Sequence, residues 1–410
     1  MRTCATPKLE LAAAREHPHA RTILQVNSEP VAAATEVLAY PAMRALAPDW
    51  AALADRALAP NLLACPEMAL AALEHLGIAG TLATARNGRG ELTGALVAMP
   101  RRGIPGLPTL LSGDFEGFGP IGTPLLDPAA PREAARNLLD GLAAGTGASL
   151  LVLRGVDVAS PAAAALRQAI EQSGRRLAVV DRHERAALVT GTPGDAYLAA
   201  SLSSKKRKEL RRQLSRLADE LGPVAFRMQS GTEAVAAGMQ AFLAIEDSGW
   251  KHRRGTSLRR APRHLAFFTE AVAALAREGR AEVALLTAGE RPVAAGIVLS
   301  SGRSAWYFKT AYDESLARYS PGVQLTVAIT RALADDPRFD IVDSTAVADH
   351  PMIDHIWRER LAIADWLIEL RPRDPRFRIA LAAETSRRRL RAAARSLLHT
   401  LRQKIRETRP

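Results

Sequence analysis

Two short stretches decide how this chain folds: Ser304-Ala305-Trp306-Tyr307-Phe308-Lys309-Thr310-Ala311-Tyr312-Asp313, then Ser320-Pro321-Gly322-Val323-Gln324-Leu325. The first is rich in aromatic residues and reads as a strand. The second begins a helix: Ser320 suits an N-cap and Pro321 the first turn. A strand that turns into a helix start presents unpaired amides and a positive dipole end, where a diphosphate is held readily. Gly322 lets an anion approach the backbone. A plain capped helix after a strand is the competing reading.

Upstream, Ala281–Thr287 and Pro292–Ser300 read as strands separated by polar turns. With Ser304–Ala311 they form an antiparallel meander. Downstream come a helix over Val323–Ala334, a strand over Asp340–Asp343, and helix and strand over Ile353–Glu369. The helices Ala199–Leu221, Thr232–Gly249 and Arg263–Arg277 precede the meander.

The first half repeats this order faintly. Val31–Leu76 reads as helical. Thr81–Arg86 and Glu91–Met99 flank Asn87-Gly88, a hairpin turn. Helices at Pro131–Thr146 and Pro161–Ser173 surround a buried strand, Ser149–Arg154, and Arg176–Asp181 is another strand. Thr93-Gly94-Ala95-Leu96-Val97 echoes Ala295-Gly296-Ile297-Val298-Leu299 at an offset of 202 residues. The expectation is α/β, with two copies of one unit. Gly117-Phe118-Gly119-Pro120-Ile121-Gly122 fits G-x-G-x-x-G but sits in a Gly/Pro-rich loop, so it reads as loop.

Composition sets limits. The 410 residues are 48% hydrophobic and 24% charged, ordinary for a globular chain. The net charge is +12, yet Arg371–Pro410 holds 13 Arg or Lys and 3 Asp or Glu, a net of +10. The body is therefore nearly neutral, which weakens nucleic acid as its substrate. Two cysteines make neither a disulfide framework nor a zinc site and fit a reducing cytoplasm. No metal is expected.

Three further segments bear polar chemistry. Ser201–Arg212 places Lys205, Lys206, Arg207, Lys208, Arg211 and Arg212 in the first turns of a helix. Cations there oppose the helix dipole, so either an anion sits nearby or the face is simply solvated. Ser248–Thr256 sets Trp250 beside Lys251 and Arg254, which suits a sugar or adenine with a phosphate, or a Trp closing the core. Asp343–His355 crowds carboxylates around His350, a general base by residue type or part of a polar loop.

The order of these segments resembles the CelD/BcsL-type GNAT acetyltransferases of cellulose and exopolysaccharide biosynthesis. The match runs through Lys205–Arg212, Gly249-Trp250-Lys251, Phe308–Asp313 and Ser320-Pro321-Gly322, within roughly residues 30–372. The wider group is similar to FemAB-type aminoacyl ligases. The resemblance implies tandem GNAT-like units, each a mainly antiparallel sheet flanked by helices: 29–190, then 191–372, after an irregular 1–28 and before a basic helical tail, 373–410. It implies direct transfer from acetyl-CoA or another acyl-CoA to a sugar, a polysaccharide precursor or another small acceptor. Phe308, Thr310, Ala311, Ser320, Gly322, Val323, Gln324 and Leu325 would hold the donor. Strand Trp306–Ala311 would splay from its neighbour to bond the pantetheine arm. Lys309, Asp313 and His350 are the candidate catalytic residues. Lys205, Arg211, Trp250, Lys251 and Arg254 are candidates for the acceptor. A single glycine in the loop departs from the usual pyrophosphate loop and leaves a tRNA-borne aminoacyl donor as an alternative. A third alternative is a non-catalytic subunit of an exopolysaccharide system. The tail's apolar face (Leu390, Leu397, Leu401, Ile405) would then dock on an anionic membrane or a protein, at the inner face of the membrane.

Overall fold

A computed structural model describes residues 35–101, 106–119, 121–249 and 255–390. The first unit comprises β1 (Thr35–Ala39), α1 (Ala47–Arg56), α2 (Pro66–His75), β2 (Thr81–Arg86), β3 (Leu92–Pro100), β4 (Thr109–Ser112) and the two-residue β5 (Leu125–Leu126). It continues with α3 (Pro131–Gly145), β6 (Leu150–Asp157), α4 (Pro161–Gln172) and β7 (Leu177–Val189).

The second unit comprises α5 (Gly194–Ser201), α6 (Ser204–Leu221), β8 (Val224–Gln229), α7 (Thr232–Ser248) and α8 (Pro262–Arg277). Then come β9 (Ala281–Ala288), β10 (Arg291–Ser301), β11 (Ser304–Tyr312), α9 (Pro321–Ala334), β12 (Ile341–Asp343) and β13 (Glu359–Glu369). The expected fold class is observed: a large, mostly antiparallel sheet flanked by helices.

Among the described residues the strands join one sheet in the order β1-β2-β3-β4-β6-β13-β7-β12-β11-β10-β9-β8, with β5 beside β3. The order reads the same from either end. Each unit supplies five strands in sequence, with its fourth and fifth parallel (β4 to β6, β11 to β12). At the centre the units trade strands. β13 lies against β6 of the first unit, β7 lies against β12 of the second, and the two pair antiparallel along most of their lengths. The matching glycines Gly94 and Gly296 fall on β3 and β10, the second strand of each meander.

One core runs across both units on one sheet face, where Trp50, Met68 and Phe118 share a cluster with Phe242, Phe267, Phe268 and Phe308. On the other face α3 and α4 cover the first unit, and α5, α6 and α9 cover the second.

Several elements differ from expectation. Thr35–Ala39 is a strand rather than helix, paired with β2 over five residues. β4 and β8 were not anticipated. Both are short, and β8 lies at the sheet's end with half-buried side chains, so its alternation is shallow. The long helix expected over Ala199–Leu221 breaks at Leu202-Ser203, where the Ser203 side chain accepts from Lys206 N and starts α6 anew. Part of the supposed tail belongs to the body. Residues 376–390 are helical, and Phe377 and Ala380 pack on Leu150, Val152 and Leu367. Leu397, Leu401 and Ile405 lie outside the described residues, while Leu390 is exposed.

Candidate functional site

β12 pairs with β11 only at Ser304–Trp306, whereas β10 follows β11 to Tyr312. Beyond Trp306 the two parallel strands part. The Thr345 hydroxyl donates to the carbonyl of Tyr307 (3.0 Å). Past that point the β11 edge away from β10 runs without a strand partner. A register shift opposite Ile297 and Val298 places a bulge at Phe308, and bulges commonly mark such openings.

The chain then makes a 3-10 turn, Glu314–Tyr319, before entering α9. α6 clamps this turn: Arg318 donates to Glu220 (2.6 Å), Tyr319 OH to Glu220, and Gln213 to the Arg318 carbonyl (3.3 Å). Ser320 sits at φ 53°, ψ 48°, in the left-handed region, and its side chain makes no cap. The expected Ser320 cap is corrected by this conformation, which turns the side chain away from the first-turn amides. Pro321 has no N–H, and first-turn amides lack intrahelical acceptors. The amides of Gly322 and Val323 therefore head the helix. A Cβ on Gly322 would lie 2.9 Å from the Tyr312 ring, so the close approach of helix and strand requires glycine.

A cavity of about 560 Å³ opens at this junction. Thr310, Ala311 and Tyr312 line it from β11, and Ser320, Gly322 and Val323 from the helix start. Ile245 and Glu246 from α7, Gly249 just past its end, Glu314 and Ala317 from the turn, and His350, Pro351 and Met352 complete the wall. Its size is that of a ligand pocket.

The structure thus brings together Thr310, Ala311, Ser320, Gly322, Val323 and His350. Other candidates lie elsewhere. Phe308 stacks on Phe268 (6.0 Å between rings) in the shared core. Leu325 is fully buried under the sheet, and Gln324 donates to the Leu210 carbonyl of α6 (2.8 Å). These two follow from helix periodicity: successive residues of α9 cannot all face one pocket. Lys309 sits 4.6 Å from the Phe118 ring centroid, between the two units.

Asp313 caps the 3-10 turn, accepting from Ser315 N (2.9 Å) and Oγ (2.6 Å), and pairs with Arg291. Burial opposes its ionisation, but these donors outweigh it and hold the carboxyl below its usual value. A carboxylate so engaged makes a poor base. Asp313 does not line the cavity, although its neighbours Tyr312 and Glu314 do. Lys205 and Arg211 are exposed on α6 and do not line the cavity. Trp250, Lys251 and Arg254 lie outside the described residues, although Gly249 beside them lines it.

Two carboxylates that the sequence did not single out line the cavity. Glu246 is 5% exposed and accepts from Leu258 N (3.0 Å). Glu314 lies across from Gly249. Nothing local marked Glu246, since acids such as Glu246-Asp247 at the end of an apolar helix are common. His350 Nδ1 accepts from the amides of Met352 (3.3 Å) and Ile353 (3.4 Å). That assigns the ring proton of a neutral imidazole to Nε2, making it a donor.

Away from the cavity, Glu74, His75 and Glu270 bring three potential metal ligands within 4.8 Å of one another. Arg44 already pairs with Glu74, and His75 contacts Glu270, so each carboxylate has a protein partner. Among the described residues, no helix is long and apolar enough to cross a membrane.

Residues 204–349 match the family model described as "Acetyltransferase (GNAT) domain". No curated protein matches the chain in sequence. Among solved structures, FemX is similar at 12% identity and a TM-score of 0.57, covering 82% of this chain and 98% of that one. The C-terminal DUF2156 domain of an Agrobacterium fabrum protein, named as a lysylphosphatidylglycerol synthetase, is similar at 13% and 0.52, covering 83% and 96%. A conserved protein of unknown function from Bacteroides thetaiotaomicron is similar at 11% and 0.51, covering 80% and 97%. At these identities the likeness is one of fold, and that fold spans both units.

Proposed function

We propose that the chain is an acyltransferase that moves an acetyl or other acyl group from coenzyme A to an amine or hydroxyl of a sugar or polysaccharide precursor. The observation that carries this reading is the cavity that joins the unpaired edge of β11 to the Gly322–Val323 amides. The amides and the positive end of α9 suit a pyrophosphate. The open edge at Thr310–Tyr312 suits the amide groups of a pantetheine arm. The GNAT-domain match over residues 204–349 supports the same chemistry.

In this reading the acceptor's nitrogen or oxygen attacks the thioester carbonyl, the C–S bond breaks, and the thiolate of coenzyme A leaves. Glu246 takes the acceptor's proton, and His350 Nε2–H donates to the developing oxyanion. The acceptor class rests on the resemblance to the CelD/BcsL-type enzymes.

Calorimetric titration with acetyl-CoA tests the donor. Saturable binding with a dissociation constant below about 1 mM is expected, in the usual range for enzyme substrates. A folded protein that takes up no heat at millimolar acetyl-CoA would overturn the reading.

A second reading keeps the fold but changes the donor to an aminoacyl-tRNA. It is supported by the exposed cations of α6, which clamps the loop, and by the single glycine at the helix start. RNA that co-purifies with the protein and charges with an amino acid, together with absent acetyl-CoA binding, would favour it.

A further inference from the structure

α9 faces two hollows. Gly322 and Val323 line the one already described, while Gln324, Val327 and Ala328 line a second of about 470 Å³. Its floor is apolar: Leu202, Leu210 and Leu214 from the α5–α6 segment, Phe226 from β8 and Leu286 from β9. Its rim is cationic. Arg331 is committed to Asp195 (2.6 Å). Arg207 and Arg211 are exposed on α6, and among the described residues neither has an ion-pair partner.

These two arginines stand four residues apart, so they repel each other along the helix. Arg207 also closes the first turn of α6, where the dipole disfavours a cation, while Arg211 stands one turn further on. An anion between them would relieve both costs. A bare inorganic anion would leave the leucine and phenylalanine floor unused, and a neutral hydrocarbon would leave the arginines uncompensated. One ligand class meets both halves of the lining.

We propose that this hollow binds an anionic amphiphile, with a single acyl chain on the Leu210–Phe226–Leu286 floor and a phosphate-like head between Arg207 and Arg211. The inference stands apart from the acyl-donor reading, because it uses the other side of α9 and no transfer chemistry.

Calorimetry on the full chain tests it, with dodecyl phosphate below its micellar concentration, dodecyl maltoside and inorganic phosphate as probes. Saturable binding of dodecyl phosphate is expected, with the maltoside weaker by about tenfold or more and inorganic phosphate weaker still. The surface variant Arg207→Gln/Arg211→Gln should lose about tenfold in affinity for dodecyl phosphate. Ala328→Phe, which fills the floor, should abolish that binding while acetyl-CoA titration stays as in the parent, showing an intact fold. Equal affinity for the maltoside, equal affinity for inorganic phosphate, or dodecyl phosphate binding unchanged in both variants would each overturn the proposal.

Discussion

Glu246 and Asp313 are two acids near one cavity in different surroundings. Asp313 spends its oxygens on Ser315 and Arg291, so its charge is fixed by structure. Glu246 is buried at the cavity wall, where its Oε2 accepts from Leu258 N. Replacing Glu246 with Gln should lower turnover by about a hundredfold or more while acetyl-CoA binding persists, as loss of a general base does. Asp313→Ala should instead lower stability by about 1 kcal/mol, as loss of a cap does, with turnover changed little. Steady-state kinetics beside thermal unfolding separates the two; a Glu246→Gln protein with parental turnover would retire that residue as the base. The helix start at Pro321-Gly322 was legible from sequence because Pro suits a first helical turn after a strand. Glu246 was not, because its meaning depends on α7 ending where β11 opens, and that is a tertiary fact.

At the level of elements, the helix over residues 376–390 is the instructive case. Composition marked it as a basic appendage, and charge alone could not show which arginines are spoken for. Arg388 bridges Asp181 and Asp365 on the exchanged strands, and Glu384 is met by Arg101, Arg387 and Arg388. Burial disfavours the Glu384 charge, yet Arg387 and Arg101 prevail and bring its pKa down to about 2. A carboxylate whose folded pKa is depressed stabilises the fold above its ordinary pKa, and that contribution fades as pH falls through the folded value. Thermal unfolding of Glu384→Gln against the parent should show a deficit of roughly 2 kcal/mol at pH 6 that closes between about pH 4.5 and 2. A deficit independent of pH would mean that Glu384 acts through packing instead. The meander β9–β10–β11 was readable because its turns are short and its alternation clear. β1 was not, because Thr35–Ala39 is strand chiefly through its pairing with β2.

Across the whole molecule, β7 and β13 carry the architecture. A sequence division near residue 190 falls at the end of β7, yet β7 is bedded on β12 and β13 of the later unit. No local pattern announces this, since a strand's sequence records which face is buried and not whose neighbour it is. The shared core on one sheet face adds to the union. Chemical denaturation should therefore show one cooperative transition by both fluorescence and circular dichroism. Residues 1–190 or 191–410 expressed alone should aggregate or remain unfolded. Two separate transitions, or a soluble folded half, would show that the units hold together independently.

The traded strands also bear on ancestry. A gene for one unit alone would encode a protein whose sheet has no centre, since the strand beside β6 or β12 must come from elsewhere. Such a protein could complete itself only by pairing with a twin, each lending a strand to the other. Duplication and fusion of that gene would turn a swapped pair into a single chain. The twin without the cavity at its strand-to-helix junction would then be free to diverge, while its borrowed strand would have to be kept.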